Sequence, residues 1–184
     1  MRSNFEGWLR PLGREPAAFW EDHDLWAVDE EVLESWIPPG VPYLGHGSAR
    51  IVVGLCPSHV LKVDVETGSP QTREEAALWA VAGTRIRAHM APVVEYGRSA
   101  EVGWTLMGRC QPLSPYTDRF GEEVEGVSTQ LGDVVVDLMR TNVGIYEGRL
   151  VVLDYGMLSV ARADKILAEH ARQLAASTRV MAVA

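Results

Sequence analysis

Apolar and polar positions along this chain follow two periods in turn. In Asp29–Ile37, DEEVLESWI, the apolar residues Val32, Leu33, Trp36 and Ile37 recur at helical spacing, and Pro38-Pro39-Gly40 ends the run. That spacing predicts an amphipathic helix packed on the main body, with a partner-binding element as the alternative. From Val41 the period shortens. YLGHGSARIVVGL reads as strand, glycine turn, strand, and HVLKVDV (His59–Val65) as a third strand after a Pro57-Ser58 turn. SPQTREEAALWAVAG reads as a helix that Ser69 or Thr72 can cap, with acids in its early turns and Gly83 near its end. MAPVVEYG and VGWTLMGRC then read as two more strands.

The second half is less regular. Residues 111–130, rich in Pro, Ser, Gly and acids, read as a connection leading into a helix that STQLGDVVVDLM continues or ends near Asp137. TNVGIYEGRLVVLDYG holds two short apolar runs around Glu147-Gly148-Arg149, a hairpin pattern. ADKILAEHARQLAASTRVMA spaces Ile166, Leu167, Ala171 and Leu174 as a closing helix. No repeat and no low-complexity tract interrupts the order.

Composition narrows the class. With 47% apolar and 23% charged residues the chain has ordinary globular composition, and 184 residues suffice for one domain or two small lobes. A net charge of −8 argues against nucleic-acid binding through bulk electrostatics. Cys56 and Cys110 make neither a disulfide scaffold nor a metal pattern, so a reducing cytoplasm is expected. No apolar h-region opens the chain and no run is long enough to span a membrane. Residues 1–40 carry Trp8, Trp20, Trp26 and Trp36, four of the six tryptophans, mixed with acids.

Several polar positions sit at or near the ends of these elements. Gly45-His46-Gly47 lies between two strands, where absent side chains let backbone amides approach a phosphate; any tight turn has the same need. Lys62 lies inside an apolar strand, and either faces water or points into a cleft. Glu74 and Glu75 follow in the next helix, and either carboxylate could hold the Lys62 ammonium towards a phosphate. Asp137 and Asn142, five apart, suit a loop presenting a proton acceptor and a neutral oxygen ligand, or a plain helix end and turn. Asp154 follows Asn142 by twelve residues, across the hairpin, and either caps the next segment or binds a metal ion.

In this order, Gly-x-Gly, strand Lys, helix Glu, Asp-x-x-x-x-Asn, hairpin and Asp-aromatic-Gly, the set resembles the protein-kinase-like superfamily over roughly Leu44 to Gly156. The resemblance implies an α+β, two-lobed fold: an N-lobe antiparallel sheet with one αC-type helix, and a much reduced helical C-lobe. It places an N-terminal helical extension at 1–40, the N-lobe at 41–110 and the C-lobe at 111–184. The implied cofactors are ATP and Mg²⁺. Gly45, Gly47 and Val52 match the nucleotide loop and the residue packed on adenine, and Lys62 the lysine that engages the phosphates. Glu75 matches its ion-pair partner, with Glu74 competing. Met107, Gly108 and Arg109 would line the adenine edge. Asp137 matches the catalytic aspartate, Asn142 and Asp154 the metal ligands, and Tyr155 stands where Phe is usual.

The departures shape the expected function. Arg50 occupies the third glycine position, and Val135-Val136 replace the His-Arg pair before the catalytic Asp, which removes the receiver for an activation-loop phosphate. Met139 lies two beyond Asp137, with Arg140 beside it. Only 28 residues follow Gly156, without an Ala-Pro-Glu motif, a compact plan similar to kinase-like proteins of small genomes such as phages. The resemblance implies γ-phosphate transfer to a protein Ser/Thr hydroxyl. The alternatives are an inactive kinase-like module that binds or inhibits a partner protein, and a phosphotransferase acting on a small molecule.

Overall fold

A computed structural model of the chain describes residues 28–65, 69, 71–99, 102–113 and 142–155. The chain divides into two compact units, Met1–Arg73 with Val93–Arg109 and Glu74–Pro92 with Cys110–Ala184. Among the described residues there are three helices and two antiparallel sheets, an α+β architecture. The helices expected within 111–139 and over 163–182, and Asp137 itself, lie outside the described residues.

In the first unit, helix α1 (Glu30–Ser35) starts where the Asp29 carbonyl accepts the amides of Val32 and Leu33 at 2.9 and 3.2 Å. Glu30 and Glu31 lie in its first turn, where negative charge complements the helix dipole. Its stop is the turn that the prolines and glycine predict: Val41 N–H donates to the Pro38 carbonyl, and Gly40 takes φ 85°, open to glycine at little cost. Leu33 and Ile37 join the core, so the packed helix is the form adopted and the alternative of a free partner-binding helix is not needed for this stretch.

That core is one face of a five-stranded sheet. Its strands are β1 (Tyr43–His46), β2 (Arg50–Cys56), β3 (His59–Asp64), β4 (Val93–Ser99) and β5 (Val102–Gly108), in the spatial order β1-β2-β3-β5-β4, all antiparallel. Side chains alternate between faces along a strand. Ile51, Val53, Leu61, Val63, Val102 and Trp104 therefore share the face that α1 covers. Each such aliphatic side chain contributes about 1.5–3 kcal/mol when withdrawn from water. Trp104 pairs with Gly97 on β4, and a Cβ at Gly97 would lie 2.6 Å from the indole. The ring fills the space a side chain would need. The two outermost strands each carry a register shift, between Tyr43 and Gly45 on β1 and between Val93 and Glu95 on β4.

Between β3 and β4 in sequence come α2 (Gln71–Val81) and the four-residue α3 (Thr84–Arg87), which sequence periodicity did not predict. Ser69, one of the two expected caps, accepts the Gln71 amide at 3.4 Å. At the other end of α2, Arg87 Nε and Nη2 donate to the carbonyls of Trp79 and Ala80 at 2.8 and 2.7 Å, and its guanidinium lies 5.2 Å from the Trp79 ring centroid. One cation thereby satisfies two terminal carbonyls and stacks on an aromatic face.

The second sheet, in the second unit, runs β6-β7-β8, from β6 (Gln111–Pro112), β7 (Val143–Tyr146) and β8 (Arg149–Val152). The predicted hairpin closes through Glu147 and Gly148, with φ 50° and 76°, and Arg149 already pairs with Tyr146. Two consecutive positive φ values are what a two-residue type I′ turn requires. Segment 89–91 runs alongside β8: Ala91 N–H donates to Val152 O and Val152 N–H to His89 O, each at 2.9 Å.

The α1 docking gives a direct test. Leu33→Ala, at a site with 0% exposure, is expected to cost about 2–4 kcal/mol in denaturant unfolding. Val32→Ala, on the exposed side of the same helix, should stay within about 0.5 kcal/mol.

Candidate functional site

The face of the five-stranded sheet opposite α1 carries the polar residues. Lys62 is the Cα partner of Val52 on β2 and of Thr105 on β5, so the three side chains share that face, and Met107 follows two residues beyond Thr105. Lys62 is only 6% exposed. Of its two sequence readings the solvated one is therefore wrong: alternation puts Lys62 on the polar face, but that face is not open to water. Thr105 and Met107 are buried with it and Val52 is half-buried.

One strand-step along, Asp64 and Arg50 are Cα partners, and both are buried. Any Cβ at Gly103 would overlap the Asp64 carboxylate and press on Thr72, so this strand position must be glycine for the carboxylate to keep its place. Arg50, which takes the place of a loop glycine, belongs to the sheet and is turned away from solvent. Nothing in the motif order indicated Asp64. The signal was its i, i+2 spacing from Lys62.

The glycine turn has two distinct halves. Gly45 adopts φ 138° opposite Val52, and a Cβ at Gly45 or Gly47 would meet nothing within 4 Å, so open space lies over both. Gly47 N–H, however, donates to the Arg50 carbonyl at 2.8 Å, closing the hairpin, which removes one of the amides expected to face a phosphate. The Tyr43 hydroxyl and His46 Nδ1 are hydrogen-bonded. Burial, with Glu30 and Glu34 adding to it, pushes the Tyr43 phenol up and keeps it neutral. At the end of β5, exposed Arg109 donates its amide to the Ser58 carbonyl at 2.8 Å.

In the second unit, Asn142 and Asp154 lie at the base of the β7–β8 hairpin. Val143 and Val152 are the last paired residues, and beyond them Leu153 N–H donates to the Asn142 carbonyl at 2.7 Å. Asn142 and Asp154 thus flank the two open ends of one hairpin, both half-buried. Tyr155 comes next: its amide faces Glu75 Oε1 at 3.5 Å, and its hydroxyl donates to the Ala91 carbonyl at 2.7 Å. Glu75 has 0% exposure and Glu74, its competitor, is also buried. A carboxylate in such a place is costly unless donors face it. The structure gives Glu75 a backbone donor next to Asp154.

Chemically, Asn142 and Asp154 offer hard oxygen donors of the kind magnesium takes while keeping water and phosphate as its other ligands. Among the described residues no group of three or more His, Cys, Asp or Glu is arranged to hold a metal ion. Among the described residues, too, no helix is long and apolar enough to cross a membrane. No protein-family model matches the sequence, and no curated protein matches it significantly.

The Tyr155 anchor can be tested by itself. Tyr155→Phe strips the buried Ala91 carbonyl of its donor and should cost about 1–2 kcal/mol of stability, whereas Tyr155→Ala, which also empties a packed site, should cost about 3–5 kcal/mol. Urea titrations of the two variants beside the parent chain measure both.

Proposed function

We propose that the chain is an ATP- and magnesium-dependent phosphotransferase of the kinase-like kind, delivering the γ-phosphate to a Ser/Thr hydroxyl of a protein. The observation that carries the reading is the hairpin base, where Asn142 and Asp154 flank one pair of strand ends and Glu75 braces the adjoining Tyr155 amide. A carboxylate and a carboxamide held on rigid strand ends are pre-organised for a cation, since little ordering entropy remains to be lost. Support from the first unit is the withdrawn ammonium of Lys62 beside Val52, together with the open space over Gly45 and Gly47.

On this reading Lys62 binds the α- and β-phosphates and Val52 and Met107 offer apolar surface to the base. Asn142 and Asp154 would hold the magnesium ion, which would supply positive charge against the phosphate oxygens. Asp137, outside the described residues, accepts the proton of the attacking hydroxyl as its oxygen bonds to phosphorus and ADP departs. Arg109 takes a peripheral place at the adenine edge.

A second reading, a nucleotide-binding module without transfer, is favoured by one observation: the Gly47 amide is spent within its own hairpin. Both readings require nucleotide binding. With ATP and Mg²⁺ at about 100 times Kd the chain should gain about 2.7 kcal/mol, visible as a raised Tm that a chelator, Asp154→Asn or Lys62→Met abolishes. Absence of any shift at millimolar nucleotide overturns both. Transfer of labelled phosphate to a protein acceptor, reduced at least about 100-fold by Asp154→Asn or Asp137→Asn, separates the enzyme from the module.

A further inference from the structure

The turn joining β2 and β3 gathers three side chains that the phosphotransfer reading does not use. Cys56 Sγ lies 3.3 Å from Ser58 Oγ and 3.4 Å from His59 Nδ1, and Ser58 Oγ lies 2.9 Å from the same ring nitrogen. Each pair of the three is thus in contact. Cys56 and His59 are half-buried and Ser58 is exposed, so the group is open to small reagents. Beyond a register shift between Gly54 and Cys56, Cys56 and His59 are Cα partners across the hairpin, and the Arg109 amide pins the Ser58 carbonyl from the neighbouring strand. This is a fixed arrangement on a sheet, not a chance encounter on a loose loop.

We infer that Cys56, set against Ser58 and His59, is a thiol–disulfide exchange site that takes up low-molecular-weight disulfides as a mixed disulfide. The thiolate attacks one sulfur of the incoming disulfide, its S–S bond breaks, and a new S–S bond forms to Cys56. The departing thiolate takes a proton from solvent, so one thiol and one disulfide become one mixed disulfide and one thiol. The incoming disulfide is the only oxidant required.

The donors explain the activation. With Ser58 O–H and a proton on His59 Nδ1 turned to sulfur, the charged form of the thiol is the better partner for both. These bonds, Ser58's first and His59's second, bring the Cys56 thiol down to about 7 against the opposing effect of burial. The titratable neighbour is His59 on this hairpin, and the charged one is Arg109, whose guanidinium lies against Gly54 two residues back. At neutral pH about half of Cys56 is then thiolate, against a few per cent or less for an ordinary thiol. A less basic thiolate is also a weaker nucleophile, with a Brønsted slope of about 0.4–0.5. The two effects oppose each other and leave a net gain of about three- to sixfold at pH 7, reversing to a deficit above about pH 8.

The test follows exchange of the full-length chain with oxidised glutathione between pH 5 and 10, reading the mixed disulfide at Cys56 and at Cys110 by peptide mass mapping. A blocked cysteine serves as the reference thiol. The expected result is a midpoint near pH 7 for Cys56, a rate about three- to sixfold above the reference at pH 7, and a slower one above pH 8. In Ser58→Ala, an exposed turn substitution, and in His59→Ala, the midpoint should climb towards the ordinary thiol range. A Cys56 midpoint at 8.5 or above in the parent chain overturns the inference, as does a low midpoint that neither substitution moves.

Discussion

The central strand β3 of the five-stranded sheet buries residues on both of its faces, Leu61 and Val63 on one and Lys62 and Asp64 on the other. A solvated face would carry Lys62 and Asp64 at no cost; here the two charges lie two residues apart on a central strand, shielded from water. Withdrawing an ion from solvent costs several kcal/mol even after relaxation, and only well-placed partners offset it. Much else in the first unit follows. Arg50 stands across from Asp64, and Gly103 gives up the β-branched side chain a central strand would normally favour so that the carboxylate has room. The sequence of β5 is in this sense dictated by its neighbour. Replacing any one member without the others would leave a buried charge worse served than before.

Much of the architecture was legible in residue order alone. The proline-proline-glycine stop of α1, the Pro57-Ser58 turn, the strands of the first sheet and the Glu147-Gly148 hairpin all lie where local periodicity and turn chemistry put them, because each is decided by residues close in sequence. The burial of Lys62 was not legible. An alternating strand looks the same whether its polar face meets water or protein, and the difference rests on residues far away in the chain. Thr84–Arg87 and Gln111–Pro112 escaped for a simpler reason: elements of four and two residues span about one period, so no repeat can show. Cys56 and His59 pair beyond a register shift, which no spacing rule reports.

The candidate site divides along the same line. Asn142 and Asp154 were singled out as possible cation ligands from their residue types and spacing, and their placement at one hairpin base is a local consequence of β7 pairing with β8. Glu75 was chosen as a partner for Lys62, and its carboxylate also accepts from the Tyr155 amide, eighty residues on. Tyr155 was noticed only as a substitute aromatic. Its hydroxyl shows why a phenol rather than a phenyl ring suits the position: it donates to the buried Ala91 carbonyl, a bond a phenyl ring could not make.

The register shifts in β1 and β4 bear on life outside the folded monomer. These are the outer members of the sheet, and β4 also exposes Val94 and Tyr96. A long, flat, apolar rim invites another chain to add a strand, the first step toward fibrils. Each irregularity interrupts the rhythm of main-chain donors and acceptors along its rim and increases the local twist. An incoming strand would meet a ladder with a missing rung on either side, and so the protein can tolerate hydrophobic residues at its margin without inviting polymerisation.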